Sequence, residues 1–157
     1  MRKLSGESSV WCLATLVIIV IISISSSMSS ESSNGYTMPI ANMLYYKFHW
    51  FFNGTDSKND LILKINFFIR KIAHFYIFAL LTVFMLLAAM KIPLSRVVRC
   101  SLVFIAVAAL ACADEFHQMF TGRNANLLDV LIDICGTLFI YGVVGLSALF
   151  RSLYGKR

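Results

Sequence analysis

Charge is what this sequence has least of. Only 14% of the 157 residues are Asp, Glu, Lys or Arg, while 59% are hydrophobic, against roughly 25% and 45–50% in soluble domains. With a mean hydropathy of +0.76, water is excluded as the main solvent. A soluble fold this apolar would have to hide its surplus surface in an oligomer, whereas a bilayer accepts it directly. Cysteine is sparse and unpatterned. Cys12, Cys100, Cys112 and Cys135 all fall inside apolar runs, with no C-x-x-C pair, which argues against a disulfide framework or a structural zinc site and leaves them as small packing residues. A basic stripe with interleaved aromatics is also missing. The net charge of +6 and pI near 9.3 therefore do not point to nucleic acid. The basic residues flank apolar runs instead, as they do when Lys and Arg fix orientation in a membrane beside anionic lipid.

Four apolar runs are present. The first, Val10 to Ile24, follows Arg2 and Lys3 and precedes the serine-rich stretch Ser25 to Ser33. With Trp11 as an interfacial anchor it predicts a span over about 9–27. The same features describe a cleavable signal peptide, and a retained helix is the expectation. From Met28 to about residue 60 no transmembrane pattern fits. The aromatic cluster Leu44, Tyr45, Tyr46, Phe48, Trp50, Phe51 and Phe52 suits either an interfacial segment or a loop packed over helix ends. Asn59 and Asp60 are plausible caps for a helix running on to Met90 without internal Pro or Gly. That length exceeds the ~30 Å hydrocarbon core, so the turns carrying Lys64, Asn66, Arg70 and Lys71 are expected to protrude, with the span nearer 72–90. After the basic turn of Lys91, Pro93, Arg96 and Arg99 come an Ala-rich run, about 100–118, and a last run, about 127–149. Ala106, Ala108, Ala109, Ala111 and Ala113 suit the centre of a bundle. The fold class expected is all-α, a polytopic membrane protein with four transmembrane helices in one bundle and one domain over 1–157.

Orientation follows from the cations. Arg2, Lys3, Lys91, Arg96, Arg99, Arg151, Lys156 and Arg157 fall on one side, expected to be cytoplasmic with both termini. Every acidic residue except Glu7 then falls on the other side or in the outer helix ends, so the polar chemistry is expected to face the exterior of the cell membrane.

The densest polar sequence near the membrane is Asp114-Glu115-Phe116-His117-Gln118-Met119-Phe120-Thr121-Gly122-Arg123, followed by Asn126, Asp129 and Asp133. On a helix, Asp114, His117 and Gln118 share a face by i, i+3 and i+4 spacing while Glu115 points elsewhere, and Asp129 and Asp133 share a face on the next helix. Arg70 and His74 lie one turn apart on an earlier helix. Ionisable groups at membrane depth face inward and pair, which predicts a pocket of His74, Asp114, His117, Arg123 and Asp129 at the outer mouth.

The segments Arg70-Lys71-Ile72-Ala73-His74-Phe75 and Asp114 to Gly136 resemble the VanZ-like membrane proteins. That family's pattern pairs K-x-x-H-F with a later D-E-x-H-Q-x-F-x-x-G-R…D…G block, and the resemblance covers about Arg70 to Gly145. Serines after a first helix are a further similarity. Carried over, it singles out Lys71, His74, Phe75, Asp114, Glu115, His117, Gln118, Phe120, Arg123, Asp129 and Gly136. Ile77 and Phe78 stand where the family often has Glu and Tyr, and Asp133 where it usually has Asn. The founding member is a teicoplanin-resistance factor, and the family's motifs assign no reaction.

Five uses of the cluster remain open. Binding would employ Arg70, Lys71, Gln118, Arg123, Asp129 and Asp133 to recognise a lipid-linked cell-wall precursor, a glycopeptide or another envelope component, and is the leading expectation. Catalysis would employ His74, Asp114, Glu115 and His117 in acid–base chemistry on a lipid-linked or phosphate-containing substrate, with no nucleophile evident beyond Thr121. A structural role would pair Arg123 with Asp114 or Asp129. Proton-coupled transport through Asp133 has little room for alternating access in four helices. His74, His117, Asp114 and Asp129 could ligate a metal, but no H-E-x-x-H motif is present and Arg123 would oppose a cation. No metal or cofactor is expected, and membrane lipids are the expected partners.

Overall fold

The computed structural model describes residues 6–48, 50, 57–121 and 126–154. Arg123, Phe51, Phe52, Asp56 and the terminal cations Arg2, Lys3, Lys156 and Arg157 lie outside the described residues. Within them the chain is all-helical: α1 (Gly6–Ser27), α2 (Ser30–Phe48), α3 (Lys58–Ala89), α4 (Arg96–Phe120) and α5 (Leu127–Tyr154). Four of these, all but α2, are long and apolar enough to cross a membrane. The chain is thus a polytopic membrane protein built as a four-helix bundle with one added helix.

Local chemistry sets the ends. Ser57, not Asn59 or Asp60, is the N-cap of α3. Its hydroxyl accepts the Asp60 amide at 3.3 Å and donates to the Asp60 carboxylate at 2.7 Å, the reciprocal logic of a capping box. The carboxyl of Asp60 serves the cap from the third position. Ser95 caps α4 in the same way, accepting the Val98 amide. Arg99 donates to the Met90 carbonyl at 2.6 Å, satisfying an orphan acceptor where α3 ends.

Residues 30–48, read from sequence as part of a loop, form α2. Gly35 and Pro39 lie inside it, and an internal Pro costs roughly 3 kcal/mol in an isolated helix. Packing on α3 compensates. Ala41 is fully buried, and Asn66 donates to the Asn34 side chain at 3.1 Å. The aromatics Leu44 to Phe48 ride on this helix, and Tyr46 accepts from Lys58 at the start of α3. At 1.5 Å per residue the 32 residues of α3 reach roughly 48 Å. Its first turns run alongside α2 as an antiparallel pair.

The central helix is α3, which packs against all four others. The Ala-rich α4 sits to one side: Ala111 is buried, but Ala109 and Ala113 are exposed. The core holds Phe78, Leu81, Val103 and Val107. Large apolar side chains such as Leu16, Val20, Ile105 and Leu146 face outward. In lipid those residues gain nothing by burial against another helix, so close approach and interhelical hydrogen bonds hold the bundle. The tightest approach is between α3 and α5. A Cβ at Gly136 would collide with the Phe75 carbonyl oxygen and lie 3.2 Å from the Ala79 nitrogen. Lower down, the Thr82 hydroxyl donates to Thr137 at 3.1 Å, both residues buried.

Candidate functional site

The close approach at Gly136 aligns α3 and α5 in parallel, and their polar side chains meet as successive rungs. Lys71 forms an ion pair with Asp129. One turn further, His74 Nδ1 stands 3.2 Å from Asp133 Oδ1. Then come Phe75 and Ala79 against Gly136, and finally Thr82 with Thr137. The sequence spacings 71, 74 and 129, 133 are each one helical turn, so once one rung forms the next follows.

From α4, Asp114 reaches the same level. Its Oδ2 accepts from Gln118 Nε2 at 2.7 Å, and its backbone carbonyl accepts from Ser26 at the end of α1. Ligand atoms of His74, Asp114 and Asp133 all lie within 4.8 Å of one another. Asp133 is completely buried, and its second oxygen, Oδ2, has no hydrogen-bond partner. Burying carboxylates at membrane depth is costly unless they are paired. Asp129 has Lys71. Asp114 and Asp133 both lie within 4.8 Å of the His74 imidazole.

A cavity of about 380 Å³ opens beside this cluster between α1, α2 and α3. Its polar lining includes Ser26, Thr37, Arg70, His74, Asp114 and Gln118. Its walls include Ile22, Ile77 and Phe78, so Ile77 and Phe78, two of the three positions that depart from the VanZ-like pattern, make apolar surface. Arg70 forms no ion pair among the described residues.

The geometry sorts the residues singled out from sequence. His74, Asp114, Gln118 and Asp133 converge, Arg70 joins them across the cavity, and Lys71 with Asp129 forms the adjacent rung. Two candidates lie elsewhere. Glu115 is buried, and its Oε2 accepts the Asn126 amide at 2.8 Å, bracing the start of α5. It points there because it is one residue, about 100°, around α4 from Asp114. His117 is exposed and contacts Ser26 at 3.3 Å. Of the expected pocket, His74 and Asp114 come together with Asp133 beside them, Asp129 pairs with Lys71 on the next rung, His117 meets Ser26, and Arg123 lies outside the described residues. Ser26 and Thr37 were not foreseen as lining residues. The serine run after the first apolar segment was their only sequence signal, since the helix carrying Thr37 was itself not legible.

A sequence model of the family described as VanZ/LLP1 matches residues 11–150 of the chain. No curated protein and no solved structure matches it.

Proposed function

This chain belongs to the VanZ/LLP1 family, and from that premise we propose that it binds the polar head of a cell-envelope amphiphile and thereby changes susceptibility to teicoplanin-type glycopeptides. The ligand class is a lipid-linked cell-wall precursor or the lipoglycopeptide itself. One observation carries the reading: the cavity joins Arg70, His74 and Asp114 to apolar walls of Ile22, Ile77 and Phe78. Such a lining suits a molecule with a charged head and a hydrocarbon tail. Lys91, Arg96, Arg99 and Arg151 lie at the other end of the bundle, which supports an extracytoplasmic cavity mouth and cytoplasmic termini.

The test is expression of the chain in a teicoplanin-sensitive host. Wild type is expected to shift the inhibitory concentration. Arg70→Ala, at matched membrane abundance, should lose most of that shift and several-fold of any amphiphile that copurifies. A wild-type chain without effect, or an Arg70→Ala chain that keeps both properties, overturns the proposal.

A second reading is an enzyme acting on a phosphate-containing envelope lipid. It is favoured by the contact of His74 with the buried Asp133, since a carboxylate behind an imidazole orients it as a general base. Turnover of such a lipid by purified protein, lost in His74→Gln while binding persists, is the outcome this reading requires.

A further inference from the structure

We propose that His74, Asp114 and Asp133 form a binding site for one divalent transition-metal cation, of the Zn²⁺ or Mn²⁺ class. The three side chains come from three different helices, α3, α4 and α5, and converge with their ligand atoms mutually within 4.8 Å. Two ligands on one ion at ~2.1 Å stand about 3–4 Å apart, and His74 Nδ1 and Asp133 Oδ1 are already at 3.2 Å. Asp114 offers its ligand atom within 4.8 Å of both.

An independent observation points to a missing partner. Asp133 is fully buried, yet its Oδ2 is without a hydrogen bond, and an orphan carboxylate oxygen at membrane depth is among the costliest groups a helix can carry. When both carboxylates are ionised the trio carries two negative charges beside a neutral imidazole and one beside an imidazolium. Lys71 does not relieve them, since it is committed to Asp129. A divalent ion neutralises both carboxylates at once. One nitrogen and two oxygens form a donor set of intermediate hardness, suited to Zn²⁺ or Mn²⁺ more than to thiolate-seeking ions.

The surroundings complete the site. Gln118 donates to Asp114 at 2.7 Å, the kind of outer partner that holds a ligating carboxylate in orientation. The cavity reaches His74 and Asp114, which gives the ion an entrance and leaves coordination positions open, as in sites with three protein ligands. Arg70 lines the same cavity, so an anionic head group entering it would meet guanidinium and ion together; that last clause rests on the amphiphile reading, and the site itself does not. An occupied site makes His74 a ligand rather than a free base, so metal content also separates the inference from the enzyme reading.

The experiment uses full-length protein in lipid nanodiscs, with its affinity tag removed. The protein is stripped with chelator, loaded separately with Zn²⁺ or Mn²⁺, desalted and assayed for metal by mass spectrometry. Wild type is expected to retain about one equivalent of at least one ion and to melt at a higher temperature loaded than stripped. His74→Ala and the isosteric Asp133→Asn should each lower retention about tenfold or more. His117→Gln, outside the cluster, should retain wild-type content. If either ligand variant fails to insert, the stripped and loaded wild type still decides the matter. Wild type that retains neither ion overturns the proposal, as do His74→Ala and Asp133→Asn variants that hold as much metal as wild type. Neither result depends on glycopeptide susceptibility, so failure of the site and failure of the amphiphile reading are read separately.

Discussion

The two ends of the bundle handle charge in opposite ways. At one end Lys91, Arg96 and Arg151 are exposed around the turn between α3 and α4 and the tail of α5. At the other end Asp114, Asp129 and Asp133 are buried, and each is placed by a specific neighbour on its own or another helix. Exposed cations bear little desolvation cost, so the sum of their charge counts for more than the position of any one. The buried carboxylates have no water to fall back on, so each depends on one partner and on the helix register that delivers it.

The contrast breaks most sharply at glycine. Gly136→Val should cost about 3 kcal/mol, at the top of the range for overpacking, because the added carbons meet the backbone of α3 at Phe75 and Ala79, which cannot yield as a side chain can. Gly142→Ala, further down α5, meets nothing within 4 Å and should leave the melting temperature in detergent almost unchanged. Equal effects at the two positions would erase the distinction between a close-packed polar end and a loosely packed basic one.

Next in size is the outer rung. Asp129→Asn leaves Lys71 without its charge partner in a mostly buried setting and should destabilise by roughly 3 kcal/mol, with much of that recovered in the Lys71→Met, Asp129→Leu double variant. Chemical unfolding of the single and double variants measures the coupling. Smallest is Arg151→Lys at the exposed end, expected within about 0.5 kcal/mol of wild type; a larger loss there would show that the basic end also depends on fixed pairs.

Much of this division was written in the sequence, and the parts that were not have physical causes. The four apolar helices were legible because hydrocarbon accepts apolar side chains on every face of a helix, so length and apolarity suffice. The helix α2 was not, since Gly35 and Pro39 argue against it locally and packing on α3 offsets that. His74, Asp114 and Asp133 were all singled out, yet the expected pocket put Asp129 with His74 where the structure has Asp133. Both lie on one face of α5, and the choice is made by the parallel register with α3 that Gly136 permits. His117 was placed in the expected pocket by its i, i+3 spacing from Asp114, whereas Glu115, a candidate for acid–base chemistry, was already expected on another face of the helix. On α4 each residue turns the side chain by about 100°, which sends Glu115 to the start of α5; His117 stays near the Asp114 face but meets Ser26 of α1.

The central claim is that register: α3 and α5 lie parallel so that His74 meets Asp133 one turn below Lys71 and Asp129. Oxidative cross-linking in native membranes reads it directly, with Cys12, Cys100, Cys112 and Cys135 replaced. Thr82 and Thr137 hydroxyls stand 3.1 Å apart, so the pair Thr82→Cys with Thr137→Cys should form a disulfide readily, while Thr82→Cys with Leu138→Cys, one position out of register, should not. Efficient cross-linking of the second pair and none of the first would contradict the register and, with it, the convergence of His74, Asp114 and Asp133.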